Sequence, residues 1–234
     1  MSRKFERVIF EYTDRIKPGE VVLLEYTSQE PVHLLLQMVL RYAELRGIPL
    51  IIVDVLDGLH VMRSKLRLAG IDTELIDRAP VMKVGGEVNA GDVILKVDEI
   101  VELSIFRNRF MDALRKIRER IGNRPFIRIV VGATELLQRM EKDAMKREAF
   151  FAGVIRPLVG NPSTRGLVFL NRKRPMHIGL KEAEELATRV LRTRMEQDRL
   201  FIRVVKSIHL EEYGAEIGID PCSLRDYLIT AGGE

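Results

Sequence analysis

Glu20-Val21-Val22-Leu23-Leu24-Glu25-Tyr26, followed by Thr27-Ser28-Gln29-Glu30 and then by Pro31-Val32-His33-Leu34-Leu35-Leu36-Gln37, decides how the rest of the chain is read. The first run is β-branched and apolar, as a strand buried on both faces must be. The four polar residues make a loop. Pro31, whose fixed φ suits the first helical position, opens an apolar helix that closes at Gly47. Upstream, Phe5, Val8, Ile9 and Tyr12 recur at helical spacing over 3–16, and Lys17-Pro18-Gly19 stops that helix.

Downstream the alternation repeats. A buried strand is expected over 49–55, a helix over 58–69 and irregular structure with short strands around two glycine-containing turns over 81–97. A long amphipathic helix follows over 103–121, then a strand over 126–131 and a helical stretch with a break over 134–158. A short strand over 166–170 and a brief helix over 182–187 precede two alternating runs, 189–195 and 200–206, which read as an antiparallel hairpin; a short helix is expected over 223–229. Strands alternating with helices predict an α/β fold, a mainly parallel sheet between helices with the closing hairpin antiparallel. Ligands of such sheets bind beyond the carboxyl ends of the strands, so the informative loops follow Tyr26, Val55 and Val131.

The chain has 234 residues, 46% of them hydrophobic and 31% charged, with one cysteine and no tryptophan. That predicts one large α/β domain over 1–206 and an acidic extension over 207–234. A lone Cys222 excludes a disulfide framework or a cysteine-rich zinc site. The charged beginning lacks the apolar stretch of a secretory signal and no run is long enough to span a bilayer, so a cytoplasmic, membrane-free protein is expected. Asn and Gln together number nine against abundant Lys, Arg and Glu, the bias of heat-adapted proteins. Charge is uneven: 13 basic and 16 acidic residues in 1–100, 24 and 12 in 101–206, one and six in 207–234.

The order of these pieces resembles the RecA/KaiC-like branch of P-loop NTPases. Lys17-Pro18-Gly19-Glu20 leading into Val21-Val22-Leu23-Leu24 is similar to the entry to the family's first core strand, and Leu34-Leu35-Leu36-Gln37 to its phosphate-loop helix. Val53-Asp54-Val55-Leu56-Asp57 through Gly70-Ile71-Asp72 resembles the second strand, its acidic turn and its helix. The strand 128–131 with Thr134-Glu135-Leu136 resembles the Walker B strand and its exit, and 200–206 the late strand ending Val-Val-Lys. Within that branch the chain is similar to a domain-of-unknown-function family of hyperthermophilic archaea, the Pyrococcus and Thermococcus type. The resemblance implies a RecA-like fold, and relatives that assemble into rings or filaments imply self-association or a protein partner.

The chemistry of that fold is missing from the motifs. A working phosphate loop needs glycines to wrap phosphate, a lysine to neutralise it and a hydroxyl for magnesium. Here Pro31 stands in place of the lysine and Val32 in place of the hydroxyl. No Lys or Arg occurs in 18–40, while Glu25 and Glu30 flank the loop. The Walker B acid falls at or beside Gly132. A pseudo-NTPase with a binding or regulatory role and no cofactor is therefore expected. Asp57 sits where KaiC-like proteins carry a catalytic acid, though before Gly58 it also reads as a turn or N-cap aspartate.

Glu25, Thr27, Ser28, Gln29, His33, Asp54 and Asp57 are the candidate ligand-binding residues, all near the first two strand exits. With His60 the acids and His33 could converge as a metal or acid–base cluster, although no zinc-like spacing connects them. This gives the alternative of a metal-assisted hydrolase or atypical nucleotide-binding ATPase. Arg172-Lys173-Arg174 is the sharpest exposed basic cluster. Together with the basic 101–206 segment it raises nucleic-acid binding as a further alternative. Phe106 and Phe110 are at core spacing and not arranged as stacking platforms.

Overall fold

Buried β-branched runs can satisfy their backbone polar groups only by pairing with one another, and their side chains only by being covered on both faces. The computed structural model describes residues 3–97, 103–122, 124–174 and 177–231. Its strands are β1 (Val21–Tyr26), β2 (Leu50–Val55), β3 (Pro80–Val84), β4 (Asp92–Val97), β5 (Phe126–Val131), β6 (Thr164–Asn171), β7 (Arg189–Glu196), β8 (Arg199–Ser207) and β9 (Glu216–Ile219). The helices are α1 (Arg3–Asp14), α2 (Val32–Leu45), α3 (Gly58–Leu68), α4 (Glu74–Asp77), α5 (Leu103–Ile121), α6 (Ala133–Met140), α7 (Ala144–Phe150), α8 (His177–Leu186) and α9 (Pro221–Ala231).

All strands join one sheet in the order β4-β3-β2-β5-β6-β1-β7-β8-β9. Every pair from β4 to β7 is parallel, and β8 and β9 are added antiparallel. The turn between β7 and β8 is Gln197-Asp198, both at positive φ, which matches the strands' right-handed twist. Successive side chains alternate between two cores. Val22 and Leu24 enter one with α1, α2, α3, α4 and α9; Leu23 enters the other, built from α5, α6, α7 and a π-helical continuation of α7, with α8 packed beside it.

In two stretches the structure gives the expectation a definite form. The short strands expected over 81–97 are β3 and β4, which pair in parallel although only residues 85–91 connect them. Gly85, Gly86 and Gly91 at positive φ make that short return possible. The break expected in 134–158 falls at 141–143, where Asp143 caps α7 by accepting from the Lys146 amide, 2.8 Å. Residues 207–231 are built into the body: β9 completes the sheet, while Leu224, Tyr227 and Leu228 of α9 enter the α2 core. No helix among the described residues is long and apolar enough to cross a membrane.

Candidate functional site

The parallel strands place the exits of β1, β2 and β5 on one edge. The loop leaving β1 closes on itself there. The carboxylate of Glu30 turns back to accept from the Thr27 amide, and both residues are buried. The Gln29 amide donates to Thr27 Oγ1 (3.3 Å), the Glu30 amide to the Thr27 carbonyl (3.4 Å) and the Val32 amide to the Glu30 carbonyl (2.9 Å). Ser28 Oγ accepts from Asn171 Nδ2 at 3.2 Å, which ties the loop to the end of β6. Pro31 has no amide hydrogen and supplies no side-chain cap to α2. Donors that a phosphate loop aims at an anion are committed internally here, one of them to a carboxylate.

The exit of β2 is strained and pinned. Leu56 and Asp57 both lie at positive φ, 50° and 64°; such non-glycine residues cost about 1–3 kcal/mol each and persist only where other contacts fix them. Asp57 Oδ1 accepts from Lys83 Nζ (2.5 Å) and the Val88 amide (3.0 Å), and Oδ2 from the Glu87 amide (3.1 Å). Lys83, 1% exposed, also reaches Asp54 (3.2 Å) and the Val88 carbonyl (2.7 Å). Asp54, 0% exposed, gives its other oxygen to the Leu59 amide (2.8 Å). Asp57 and Lys83 thus hold the tight crossover between β3 and β4. Burial works to raise the Asp57 pKa, but Lys83 and the two amides outweigh it and hold the carboxyl below its ordinary range. Burial dominates at Asp54 and raises it, against the Leu59 amide and Lys83. For Lys83, desolvation is outweighed by Asp57 and Asp54, so its pKa is raised.

The backbone around this turn leaves no room for a side chain at Gly132. A Cβ at Gly132 (φ 78°) would lie 1.9 Å from the Val55 carbonyl oxygen, and one at Gly58 would lie 2.8 Å from the Gly132 nitrogen. The two glycines let the starts of α3 and α6 meet. Beside them a polar cleft of about 490 Å³ opens among Asp57, Lys83, Glu87, Lys96 and Arg139.

The sequence-predicted candidates divide into separate groups. Thr27, Ser28 and Gln29 share the β1 loop, and Asp54 and Asp57 share Lys83. Glu25 is on the opposite face of the sheet from Asp54: it follows Leu23 in the alternation and binds Arg192 Nε at 2.7 Å. Two intervening strands, β6 and β5, also keep β1 about 14 Å from β2. Burial and Glu184 push the Glu25 carboxyl up, against Arg192, to about 7. His33 on α2 is pushed down to about 4 by burial and Lys65, so it is neutral near pH 7. Among the described residues no three His, Cys, Asp or Glu side chains are placed to hold a metal.

Arg172-Lys173-Arg174 splits: Arg174 pairs with Glu135 at 3.4 Å, the Lys173 amide donates to Asn171 Oδ1 at 3.1 Å, and Arg172 faces β7 and β8. Sequence reasoning misses Lys83, because a lysine inside Val81-Met82-Lys83-Val84 reads as a surface residue of a short strand. The only sequence signal is two acids at the end of a buried strand, Asp54 and Asp57, lacking a nearby cation in their own segment.

Three comparisons bear on this arrangement. The chain is similar to the Pyrococcus horikoshii OT3 protein PH0250, with 23% identity, TM-score 0.74, and coverage of 89% of this chain and 97% of that one. It is also similar to the KaiC-like protein PH0186 of the hyperthermophilic archaeon Pyrococcus horikoshii OT3, with 13% identity, TM-score 0.55, and coverage of 87% and 93%. At these identities the likeness establishes the fold, which is RecA-like α/β. The comparison with curated proteins gives no match. The family described as Pyrococcus protein of unknown function, DUF257, matches residues 11–218, nearly the whole sheet and both cores, and the chain belongs to that family.

Proposed function

We propose that this chain is a non-hydrolysing member of the RecA/KaiC-like fold, acting by binding or regulation. The observation that carries the reading is Glu30: its carboxylate takes the Thr27 amide in the loop where the fold otherwise receives a phosphate. An incoming triphosphate would have to displace a buried carboxylate and then sit beside it, with no Lys or Arg in 18–40 to offset the repulsion. Asp57, at the position of a catalytic acid, has both oxygens engaged by Lys83 and by the amides it pins. A carboxylate held in a salt bridge and by two amides, with its pKa below the ordinary range, is a poor base for activating water.

The partner of such a protein is a second copy or an active relative of the same fold. The excess of cations in 101–206 and of anions in 207–234 supplies complementary charge for that association. Light scattering across a salt series reads it: association weakens as salt rises, and a salt-independent monomer refutes it. Incubation with ATP and magnesium tests the site itself. No phosphate is released, and hydrogen exchange over 27–34 is unchanged. Magnesium-dependent phosphate release, or nucleotide-dependent protection of that loop at micromolar concentration, refutes the proposal.

A further inference from the structure

On the α8 side of the sheet, four arginines from three segments surround a second pocket of about 300 Å³. Arg172 follows β6, Arg192 and Arg194 are alternate residues of β7, and Arg203 stands directly opposite Arg192 in the β7–β8 register. Tyr213, about half exposed, lies at the rim. No Asp or Glu lines the pocket.

Like charges facing each other across a strand pair are unfavourable unless something offsets them. Two of the four are offset by protein. Arg192 binds Glu25 at 2.7 Å and Glu184 at 3.3 Å, and Arg194 pairs with Glu196 and with Glu216, the latter at 3.0 Å. Arg172 and Arg203 pair with no carboxylate among the described residues. Arg172 Nε is moreover buried without an acceptor. A buried guanidinium nitrogen with nothing to donate to is one that an oxyanion bound in the adjoining pocket would satisfy.

We infer that this pocket binds a phosphoryl-type oxyanion carried by a small molecule, a phosphomonoester or a pyrophosphate. Guanidinium forks from several directions match the oxygens of a tetrahedral phosphoryl group in a way that a single lysine does not. The form of the charge favours a compact anion over a polyanionic strand. Glu184, Glu196 and Glu216 pair with Arg192 and Arg194 beside the pocket, so a nucleic-acid backbone laid across the area meets carboxylates as well as cations, whereas the lining of the pocket itself holds no carboxylate. The exposed ring of Tyr213 leaves room at the rim for an organic body.

Calorimetric titration of the whole chain with inorganic pyrophosphate and with inorganic phosphate tests this. Pyrophosphate binds saturably, one per chain, and Arg172→Gln and Arg203→Gln each weaken it at least tenfold. The double variant abolishes it, and Lys173→Ala, whose side chain is outside the pocket, leaves it unchanged. Far-UV circular dichroism checks that the variants fold. Absence of saturable binding by the unmodified chain overturns the assignment, whatever the variants do, and so does binding that survives the double variant. Binding of a single-stranded oligonucleotide that falls steeply with salt and is not displaced by pyrophosphate overturns it in favour of a nucleic-acid surface. The two proposals are read separately: hydrogen exchange over 27–34 with ATP and magnesium reports on the β1 loop, and pyrophosphate titration of the Arg172 and Arg203 variants reports on the pocket.

Discussion

Replacing Arg128 by methionine is expected to stabilise the protein. Arg128 lies in the middle of β5, 2% exposed, with Nη1 buried and without an acceptor. No carboxylate among the described residues pairs with it. Its surroundings are apolar, including Leu23, Phe110, Leu158 and Leu170. Burial alone pushes its pKa down to about 10. At about 1.36 kcal/mol per pH unit, folding therefore disfavours the cation by about 3 kcal/mol at every pH below that folded value. Methionine follows the path of the alkyl stem and removes the charge. Its shorter reach leaves a small void that costs about 1 kcal/mol. The net expectation is a gain of about 1–3 kcal/mol, in line with apolar replacement of buried charges elsewhere.

Guanidinium chloride unfolding at neutral pH reads this as a higher midpoint at unchanged slope. A second substitution makes the reasoning specific. A Cβ at Gly166 would lie 2.8 Å from Arg128 Nη2 and only in ordinary contact, 3.5 Å, with Val21. Gly166→Ala should therefore cost stability beside Arg128 and be neutral or better in the Arg128→Met background, a coupling of at least about 0.5 kcal/mol. A lowered midpoint in Arg128→Met, or strict additivity of the two changes, would show that the guanidinium is solvated or paired in solution and would refute the reasoning.

Three further outcomes are expected. Glu30→Ala strips the Thr27 amide of its buried acceptor and costs about 1–3 kcal/mol in chemical denaturation, while Glu30→Gln recovers most of it; equal losses in both would mean that the contact is not what holds the loop. Asp57→Asn leaves Lys83 with one charged partner and loosens the 85–91 crossover, which hydrogen exchange at Glu87 and Val88 detects directly. Because the folded pKa of Asp57 is depressed, its contribution is present above the unfolded value of 3.8 and lost as pH falls through the folded one, so the variant should have a flatter acid limb of stability. Glu25 behaves oppositely: with its pKa raised from 4.5 to about 7, the native state holds the extra proton between those values, and stability declines as pH rises through that window. Glu25→Gln should remove that decline, and an unchanged pH profile would place the proton on another group.

The main outline of the fold was legible because strand and helix periodicities are local properties. The runs 20–26, 49–55 and 126–131 had no alternative to a buried sheet, and the alternating 189–195 and 200–206 pairs had to make a hairpin. What escaped was set by contacts between distant residues. The β3–β4 return exists because Asp57 and Lys83, 26 positions apart, tie its loop down. The short β9 forms because β8 offers it an edge. That Pro31 and Val32 stand where the resemblance places a lysine and a hydroxyl was legible, but the internal use of Glu30 needed the loop's path, since the same glutamate in an open turn would have pointed to solvent. Likewise Arg192, Arg194 and Arg203 look like the ordinary polar face of a hairpin until Arg172 arrives from β6.

Glu30 also explains why the loop would keep its shape without its ligand. A phosphate loop without phosphate presents converging amide donors with nothing to accept them, and a buried loop of that kind is costly. A carboxylate supplied by the chain itself satisfies the donor geometry at every moment, with no dependence on nucleotide concentration. It makes the first strand exit a permanent structural element. The same exchange is visible at the second exit, where Asp57 holds a crossover with both oxygens, and at the fifth, where Gly132 gives its place to backbone packing. On the reading proposed above, three positions that would serve one bound nucleotide serve the stability of the edge instead, and the arginines following β6 and on β7 and β8 are where a ligand is proposed to bind.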